Sequence, residues 1–279
     1  MRIDYLNTNY DLNDPKILAA IDDMPLWSAP FGLKLLSVVR YKKNIRVLDI
    51  GTGLGFPIIE LAMRLGSTCQ VVGLDPWKAG LDRAQLKKEI TNCQNIELVE
   101  GVAEAMPFET ASFDLIISNN GLNNVQDLRK SLFESSRVAK KGAQFVFTFN
   151  TDRTFYGFYT LFKKSLRAYG LNACLKEVEE HIYSKRKPLA EYKTALAKAG
   201  FRIVRIYKGS FSYRFNDGTS MLNHFTLKSS FLPAWKEIVP EEKRAEVFSD
   251  VEERMNKSAV RTNGFSMLVP FITVDCQKK

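Results

Sequence analysis

A short apolar strand that runs into three closely spaced glycines constrains the fold of this 279-residue chain more than any other segment. The segment reads VLDIGTGLG over 47–55, and the branched residues of 45–50 indicate a buried strand. Glycines permit positive φ angles and let a ligand approach the backbone closely. Pro57 suits the first turn of a helix, where a missing N–H costs no hydrogen bond, so we expect a helix over 57–65. The segment therefore predicts a strand, a ligand-binding turn and a helix in succession.

The same order of strand and helix repeats as far as residue 149. Strands are expected at 45–50, 70–74, 96–99, 113–118 and 143–149. Helices are expected at 57–65, 76–90 and 125–138. Such alternation indicates parallel strands joined by crossover helices, and continuous apolar runs indicate strands buried on both faces. We predict an α/β fold, a Rossmann-like three-layer sandwich with a mostly parallel central sheet and an antiparallel last strand.

Two stretches interrupt this rhythm and are expected to be mainly helical. Residues 1–150 hold an N-terminal segment and the ligand-binding core, 188–215 continue the core, and 265–279 supply the last core strand. The insertions occupy 151–187 and 216–264. Both follow strands whose carboxyl ends lie on the ligand side of an open α/β sheet. We therefore predict that they form a cap over the ligand site.

The glycine loop lacks the spacing of loops that bind a pyrophosphate. In a GxGxxG pattern counted from Gly51 the third glycine falls on Phe56, and counted from Gly53 it falls on Ile58. The second strand ends in Asp75, where a carboxylate can accept hydrogen bonds from both hydroxyls of a ribose. A nucleoside without a pyrophosphate points to S-adenosylmethionine. The alternative for Asp75 is a cap on the following helix, and the two roles are compatible.

Four segments, in this order and spacing, resemble the class I S-adenosylmethionine-dependent methyltransferases. The likeness is to the small-molecule branch that includes the ubiquinone/menaquinone C-methyltransferases. The segments are VLDIGTGLG at 47–55, VVGLDPW at 71–77, GVAEAMPFETASFDLIISNNGLNNV at 101–125 and LRKSLFESSRVAKKGAQFVFTF at 128–149. The resemblance implies transfer of a methyl group to a small, partly apolar organic substrate. The reaction is an in-line displacement, in which the protein mainly aligns nucleophile, methyl group and leaving sulfur.

The resemblance also implies which residues bind the cofactor. The backbone at Gly51 and Gly53 would hold the methionine portion, supported by Asp49. Asp75 would bind the ribose. The expected cofactor-binding residues are Asp49, Gly51, Thr52, Gly53, Gly55, Asp75, Pro76, Trp77, Val102, Ala103, Asn119 and Asn120.

The remaining roles concern the adenine and the reacting methyl group. Pro76 or Trp77 would cover the adenine, and the N–H of Ala103 would meet its ring. Asn119 and its neighbour Asn120 would face the methionine and the methyl group. The sequence differs from many members of the family at Val102, next to Ala103. Those members carry an aspartate at this position, and its carboxylate contacts the adenine amino group.

No side chain stands out as catalytic, because methyl transfer needs a general base only when the nucleophile arrives protonated. His224, in the second insertion, is a candidate base; the alternative is an ordinary packed or surface histidine. The chain has only one other histidine, and its four cysteines form no CxxC pair, so no metal site is predicted.

Two aromatic groups leave alternatives open. Trp27 and Phe31 close over the cofactor or belong to the core. An aromatic set in the first insertion, flanked by basic residues, lines an apolar substrate pocket, contacts a membrane surface peripherally, or packs its helix against the sheet. The set is Phe155, Tyr156, Phe158, Tyr159 and Phe162.

A net charge of +9 raises the question of a nucleic-acid substrate. The motif Ser118-Asn119-Asn120-Gly121 is not the Asn/Asp-Pro-Pro-aromatic motif of enzymes that methylate exocyclic amines, and the chain has no Pro-Cys dipeptide. Nucleic acid is therefore disfavoured, and a small molecule is the expected partner. A nucleic-acid methyltransferase and a catalytically silent binding module stay as alternatives.

The N-terminus does not read as a signal peptide and no stretch reads as a membrane span, so a cytoplasmic location is expected. The oligomeric state is not indicated.

Overall fold

A computed structural model describes residues 4–279. The strands are β1 (Arg46–Ile50), β2 (Gln70–Asp75), β3 (Ile96–Glu100), β4 (Phe113–Asn119), β5 (Ala139–Asn150), β6 (Phe201–Phe215) and β7 (Phe265–Lys278). The helices in the order of the chain begin with α1 (Pro15–Asp23), α2 (Ala29–Val38), α3 (Ile58–Leu65), α4 (Lys78–Ile90), α5 (Leu128–Val138) and α6 (Tyr156–Ala168). The later helices are α7 (Cys174–Lys185), α8 (Leu189–Lys198), α9 (Gly218–Asn223), α10 (Phe225–Ser230), α11 (Leu232–Glu237) and α12 (Arg244–Thr262).

One seven-stranded sheet runs in the order β3-β2-β1-β4-β5-β7-β6. β1 pairs in parallel with β2 and β4, and β4 pairs in parallel with β5. β7 pairs with β5 in the antiparallel direction. The predicted Rossmann-like fold, with its mostly parallel sheet and antiparallel last strand, is confirmed. Because the strand order reverses between β1 and β4, the loops that follow these two strands border the crevice where such sheets bind ligands.

Two hydrophobic clusters show the three layers of the sandwich. Val47 belongs to a cluster that includes Leu36 and Ile58, from α2 and α3. Its neighbour Leu48 belongs to another cluster, which includes Leu132 from α5. Successive residues of a strand point to opposite faces, so β1 is covered by helices on both sides. This burial explains why its apolar run is continuous.

Three helices begin later than the sequence pattern predicted. α3 begins at Ile58, and Pro57, which we expected in its first turn, is its N-cap. An aspartate explains each of the other two cases. α4 begins at Lys78 because the carboxylate of Asp75 accepts a hydrogen bond from the N–H of Trp77, which holds the preceding residues in a turn. α5 begins at Leu128 because Asp127 is its N-cap. The carboxylate of Asp127 accepts hydrogen bonds from the N–H groups of Arg129 and Lys130. Local side-chain bonds therefore moved both boundaries.

The predicted turn before the fifth strand is a bulge inside β5. Phe113 pairs with Ala139 and Leu115 with Gln144, so three extra residues lie on the β5 side. Gly142 lies within this stretch and has a φ of +80°. A left-handed glycine is the usual means of accommodating extra residues in a strand pair.

Contacts divide the chain into two compact units, which we name the helical unit and the sheet unit. The helical unit comprises the described part of Met1–Leu12 together with Asp152–Lys185 and Ser210–Pro270. The sheet unit comprises Asn13–Thr151, Arg186–Gly209 and Phe271–Lys279. The predicted insertions, 151–187 and 216–264, lie mainly in the helical unit. Residues 4–12, which belong to the stretch 1–150 predicted to hold an N-terminal segment and the core, lie in the helical unit as well. The role of the insertions as a cap stays a prediction.

The aromatic set of the first insertion forms the core of the helical unit. The ring of Phe158 packs, tilted by 30°, against that of Trp235 with 4.1 Å between the centroids. The indole N–H of Trp235 donates to the hydroxyl of Tyr159 at 3.1 Å. Phe162 packs against Phe248 of α12. Of the five aromatic residues only Tyr156 is exposed, at 52%. The packing alternative is therefore the one the structure supports, with ring partners on α11 and α12 where we had expected the sheet.

Within residues 4–279, no helix combines the length and the apolar character that crossing a membrane requires.

Candidate functional site

The loop after β1 holds three glycines in the left-handed region. The φ angles of Gly51, Gly53 and Gly55 are +81°, +52° and +94°, where a Cβ atom is strained. The N–H of Gly51 donates to the carbonyl of Leu74 at 2.8 Å, and the N–H of Thr52 donates to the same carbonyl at 3.3 Å. These bonds tie the loop to the end of β2.

The space around the three glycines distinguishes their roles. A Cβ atom at Gly51 would lie 2.8 Å from the Cα of Gly121, and one at Gly55 would lie 3.0 Å from the Cβ of Ala84 in α4. A Cβ atom at Gly53 would meet no heavy atom of the described residues within 4 Å. Gly51 and Gly55 therefore allow close packing of the loop, whereas the backbone at Gly53 is open to a ligand.

Asp75 connects the glycine loop to the start of α4. Its Oδ2 accepts from the N–H of Gly53 at 2.8 Å, and its Oδ1 accepts from the N–H of Trp77 at 2.8 Å. The side chain is mostly buried, and burial raises the pKa of this carboxyl while the two backbone donors oppose the rise. The helix-cap role is present. Since each carboxylate oxygen has a second lone pair, the predicted ribose contact is compatible with it and stays a prediction.

Asp49 lies fully buried at the carboxyl end of β1. The hydroxyl of Thr52 donates to its Oδ2 at 3.2 Å, while its Oδ1 has no hydrogen-bond partner within residues 4–279. Burial raises the pKa of Asp49 to about 7, and the charge of Asp75 acts in the same direction. A buried acceptor without a donor is costly. An unpaired acceptor beside the glycine loop fits a ligand that brings a donor or a positive charge, such as the ammonium group of S-adenosylmethionine.

The raised pKa of Asp49 predicts a pH-dependent stability that asparagine removes. Between pH 4 and about 7 the folded protein keeps a proton on Asp49 that the unfolded chain loses, so its contribution to the free energy of unfolding falls as pH rises. A shift of this size corresponds to about 4 kcal/mol across the window. Urea unfolding of the parent and of Asp49→Asn at pH 4 and pH 8 measures it. The variant should gain stability relative to the parent at the higher pH; an equal difference at both pH values contradicts the prediction.

Asn119 ends β4 and fixes the start of α2 there. Its side-chain amide donates to the carbonyl of Ser28 at 3.2 Å, and its Oδ1 accepts from the hydroxyl of Thr148 at 3.1 Å. Gly32, one turn into α2, lies against the ring of Phe56 with no room for a Cβ atom. No sequence pattern indicated this use of Asn119. Its predicted contact with the methyl group stays a prediction.

Asn120 belongs to a buried polar cluster at the ends of β4 and β5. Its Oδ1 accepts from the side chain of Asn123 at 2.8 Å and from the N–H of Asn150 at 3.2 Å. Asn123 also donates to the side chain of Asn150, and its Oδ1 accepts from the hydroxyl of Tyr192 at 3.2 Å. Sequence reasoning identified only Asn120. The polar residue at the end of β5, where the apolar run stops, is the signal that would have added Asn150.

The predicted adenine-side residues lie next to Asp75. The N–H of Gly101 donates to the carbonyl of Asp75 at 3.1 Å, which places Val102 and Ala103 beside the end of β2. Val102 is 44% exposed, whereas Ala103 is buried in a hydrophobic cluster. Trp77 is half-buried. The adenine contacts of these residues stay predictions.

The four other residues that the sequence singled out lie in different surroundings. Pro76 is exposed at the turn that precedes α4. Phe31 is fully buried, with its ring 5.0 Å from that of Phe271, so it belongs to the core; Trp27 packs edge-on against it at 5.5 Å. His224, the candidate base, belongs to the helical unit.

Comparison with known proteins gives the family. A family model described as a methyltransferase domain matches residues 41–205, more than half of the chain. The demethylmenaquinone methyltransferase of Staphylococcus aureus (strain JH9) is 30% identical over 173 residues, which cover 59% of this chain and 71% of that protein.

Solved structures share the fold. A protein of Bacillus halodurans C-125 aligns with a TM-score of 0.60 and 21% identity, over 88% of this chain and 98% of its own. The geranyl diphosphate C-methyltransferase of Streptomyces coelicolor A3(2) aligns with a TM-score of 0.55 and 15% identity, over 90% of this chain and 77% of its own. At these identities the likeness concerns the fold alone. The matched domain and the Staphylococcus relative carry the assignment: the chain belongs to the methyltransferase domain family and is an S-adenosylmethionine-dependent methyltransferase, as the four sequence segments predicted.

Proposed function

We propose that the loop at 51–55, with Asp49 and Asp75, holds S-adenosylmethionine, and that the methyl group goes to an oxygen, carbon or nitrogen atom of a small, partly apolar molecule. The observation that carries the proposal is the contact between the N–H of Gly53 and the carboxylate of Asp75 at 2.8 Å. It joins the open backbone of the loop to the acid at the end of β2. A nucleoside with an amino-acid tail spans this pair of features, whereas a pyrophosphate needs the missing third glycine.

The described residues fit this cofactor. The bound cofactor supplies an electrophilic methyl group on a sulfonium. Gly53 leaves its backbone accessible, and Asp75 keeps acceptor capacity for two hydroxyls. Asp49 offers a buried acceptor that is unpaired within the described chain. The protein's contribution is to bind and orient, because alignment supplies most of the rate in a displacement of this kind.

The names of similar proteins support an apolar substrate skeleton. One relative is a demethylmenaquinone methyltransferase, and one protein of the same fold acts on geranyl diphosphate. We assign recognition of the substrate to the helical unit, whose residues lie outside the strand–helix repeats that carry the family motifs. A cytoplasmic location and peripheral contact with membranes stay predictions.

Calorimetric titration with S-adenosylmethionine, S-adenosylhomocysteine and NAD tests the cofactor site. We expect both adenosyl compounds to bind and NAD not to bind. Transfer of a labelled methyl group to a panel of phenols, terpenoids and oligonucleotides then tests the substrate class. Labelling of the oligonucleotides alone would replace the small-molecule proposal with the nucleic-acid alternative. Binding of the adenosyl compounds without any transfer would favour the silent module.

A further inference from the structure

Two neighbouring aromatic rings of the helical unit each carry a buried polar atom that lacks a hydrogen-bond partner. They are the hydroxyl of Tyr213 and the Nδ1 atom of His224, each unpaired within residues 4–279. The centroids of the two rings are 6.0 Å apart. The ring of Phe215 lies 5.4 Å from that of His224 and stacks on that of Tyr213 at 6.3 Å. The two residues that carry the unpaired atoms therefore belong to one cluster of aromatic rings.

Regular structure holds both residues in place. Tyr213 and Phe215 are two positions apart on β6, so their side chains lie on one face of the strand. His224 ends α9 and precedes α10, and its N–H donates to the carbonyl of Met221 at 3.1 Å. The side chain of Asn256 in α12 accepts from the first N–H of α9 at 2.7 Å and so fixes this short helix. The pair is thus held between a strand and the junction of two short helices.

Packing alone does not account for two unpaired groups at one place. Leaving a buried hydroxyl without a partner destabilises the folded state, and native proteins contain few such groups. Tyr213 is 8% exposed. An aromatic core position that needed only packing would be filled equally well by phenylalanine. The retained hydroxyl indicates a partner that the folded chain does not itself supply.

The pair is uncharged near neutral pH. Burial raises the pKa of the Tyr213 hydroxyl to about 12, and burial lowers the pKa of His224 below its usual value. Tyr213 therefore offers an O–H donor, and a neutral imidazole offers one donor and one acceptor nitrogen. A phosphate or carboxylate would need positively charged partners, which these two groups do not provide.

We propose that Tyr213 and His224 form a subsite that recognises an uncharged hydroxyl or carbonyl group on an aromatic or other apolar substrate. The subsite rests on the proposed function, because it defines part of the substrate of the same methyltransferase. It excludes substrates whose only polar group is an anion. It also gives His224 a role in binding, where sequence reasoning considered only that of a base.

Titration with three naphthalene probes tests the subsite without any cofactor. The probes are 2-naphthol, naphthalene and 2-naphthoate, which present a hydroxyl, no polar group and an anion on one skeleton. The parent should bind 2-naphthol at least about 5-fold more tightly than the other two, since one good hydrogen bond contributes about 1 kcal/mol. Tyr213→Phe and His224→Phe should each lose most of that preference and keep the affinity for naphthalene. An unchanged preference in both variants, or a parent without preference, overturns the proposal.

Thermal unfolding gives an independent readout with a matched control. Tyr213→Phe removes an unpaired hydroxyl and should keep or raise the Tm of the free protein, because the polar group no longer has to be buried. Tyr159→Phe makes the same change in the same unit but removes the acceptor of the Trp235 indole N–H, so its Tm should fall by several degrees. Equal losses of Tm would show that the Tyr213 hydroxyl has a partner in the free protein and would overturn the proposal. Binding of S-adenosylhomocysteine, measured separately, reports on the proposed function itself.

Discussion

Asp75→Ala is expected to weaken the binding of S-adenosylhomocysteine by 100-fold or more. The parent carboxylate accepts from the N–H groups of Gly53 and Trp77, both at 2.8 Å. Hydrogen bonds to a charged group contribute about 1.5 to 3 kcal/mol each, and a factor of 10 in affinity corresponds to about 1.4 kcal/mol. The variant loses the anchor of the glycine loop together with the proposed ribose acceptor. Calorimetric titration of both proteins measures the change.

Asp127→Ala is the matched control for this loss. Asp127 also accepts two backbone hydrogen bonds, from Arg129 at 2.9 Å and from Lys130 at 3.0 Å, but it caps α5. Its removal should lower the free energy of unfolding by about 1 kcal/mol and leave the affinity for S-adenosylhomocysteine within about 2-fold. Unchanged affinity in Asp75→Ala would show that the acid at the end of β2 does not take part in binding.

Gly51→Ala is expected to lower the free energy of unfolding by about 3 kcal/mol. Its φ of +81° places alanine in the left-handed region, at a cost of about 1 to 2 kcal/mol. The added Cβ would also lie 2.8 Å from the Cα of Gly121. That neighbour is backbone, which cannot rotate away as a side chain could, so a further loss from overpacking of at least about 1 kcal/mol is expected. Urea unfolding at fixed pH gives the difference.

Gly170→Ala separates the two contributions to this loss. Gly170 has a φ of +71° just after α6, and a Cβ atom there would meet no heavy atom of the described residues within 4 Å. This variant should therefore show the backbone strain alone, about 1 to 2 kcal/mol. Equal losses in Gly51→Ala and Gly170→Ala would mean that the contact with Gly121 relaxes without cost.

The sheet could be predicted because its signals are local. Continuous apolar runs such as 113–118 identify strands buried on both faces, and the glycines after β1 mark the turn that follows. The start of α1 was also predictable, because Asp followed by Pro is a common way for a helix to begin. In the structure Asp14 is the N-cap and accepts from the N–H of Lys16, and Pro15 is the first helical residue. We missed that helix because its surroundings are polar.

A residue of the candidate site could be predicted only where its type and its position at the end of one strand are enough to indicate its role. Asp75 met that condition. The hydrogen bonds that join Asn120 to Asn123 and Asn150 could not be predicted, because they link residues up to 30 positions apart. The aromatic set of α6 shows the same limit. Its spacing of three and four residues predicts one buried helix face, but the rings that cover it, such as Trp235, come from a distant part of the chain.

The contact between Gly51 and Gly121 sets a limit on how this enzyme can be altered. A Cβ atom at Gly121 would lie 2.5 Å from the carbonyl oxygen of Ile50 and 3.1 Å from the Cα of Gly51. Each glycine thus occupies the room that the other would need for a side chain, and no smaller residue exists that could compensate for a change. Directed evolution toward new methyl acceptors will find no paired solution at these two positions. Mutant libraries should instead vary other positions, such as Tyr213 and His224 of the proposed subsite.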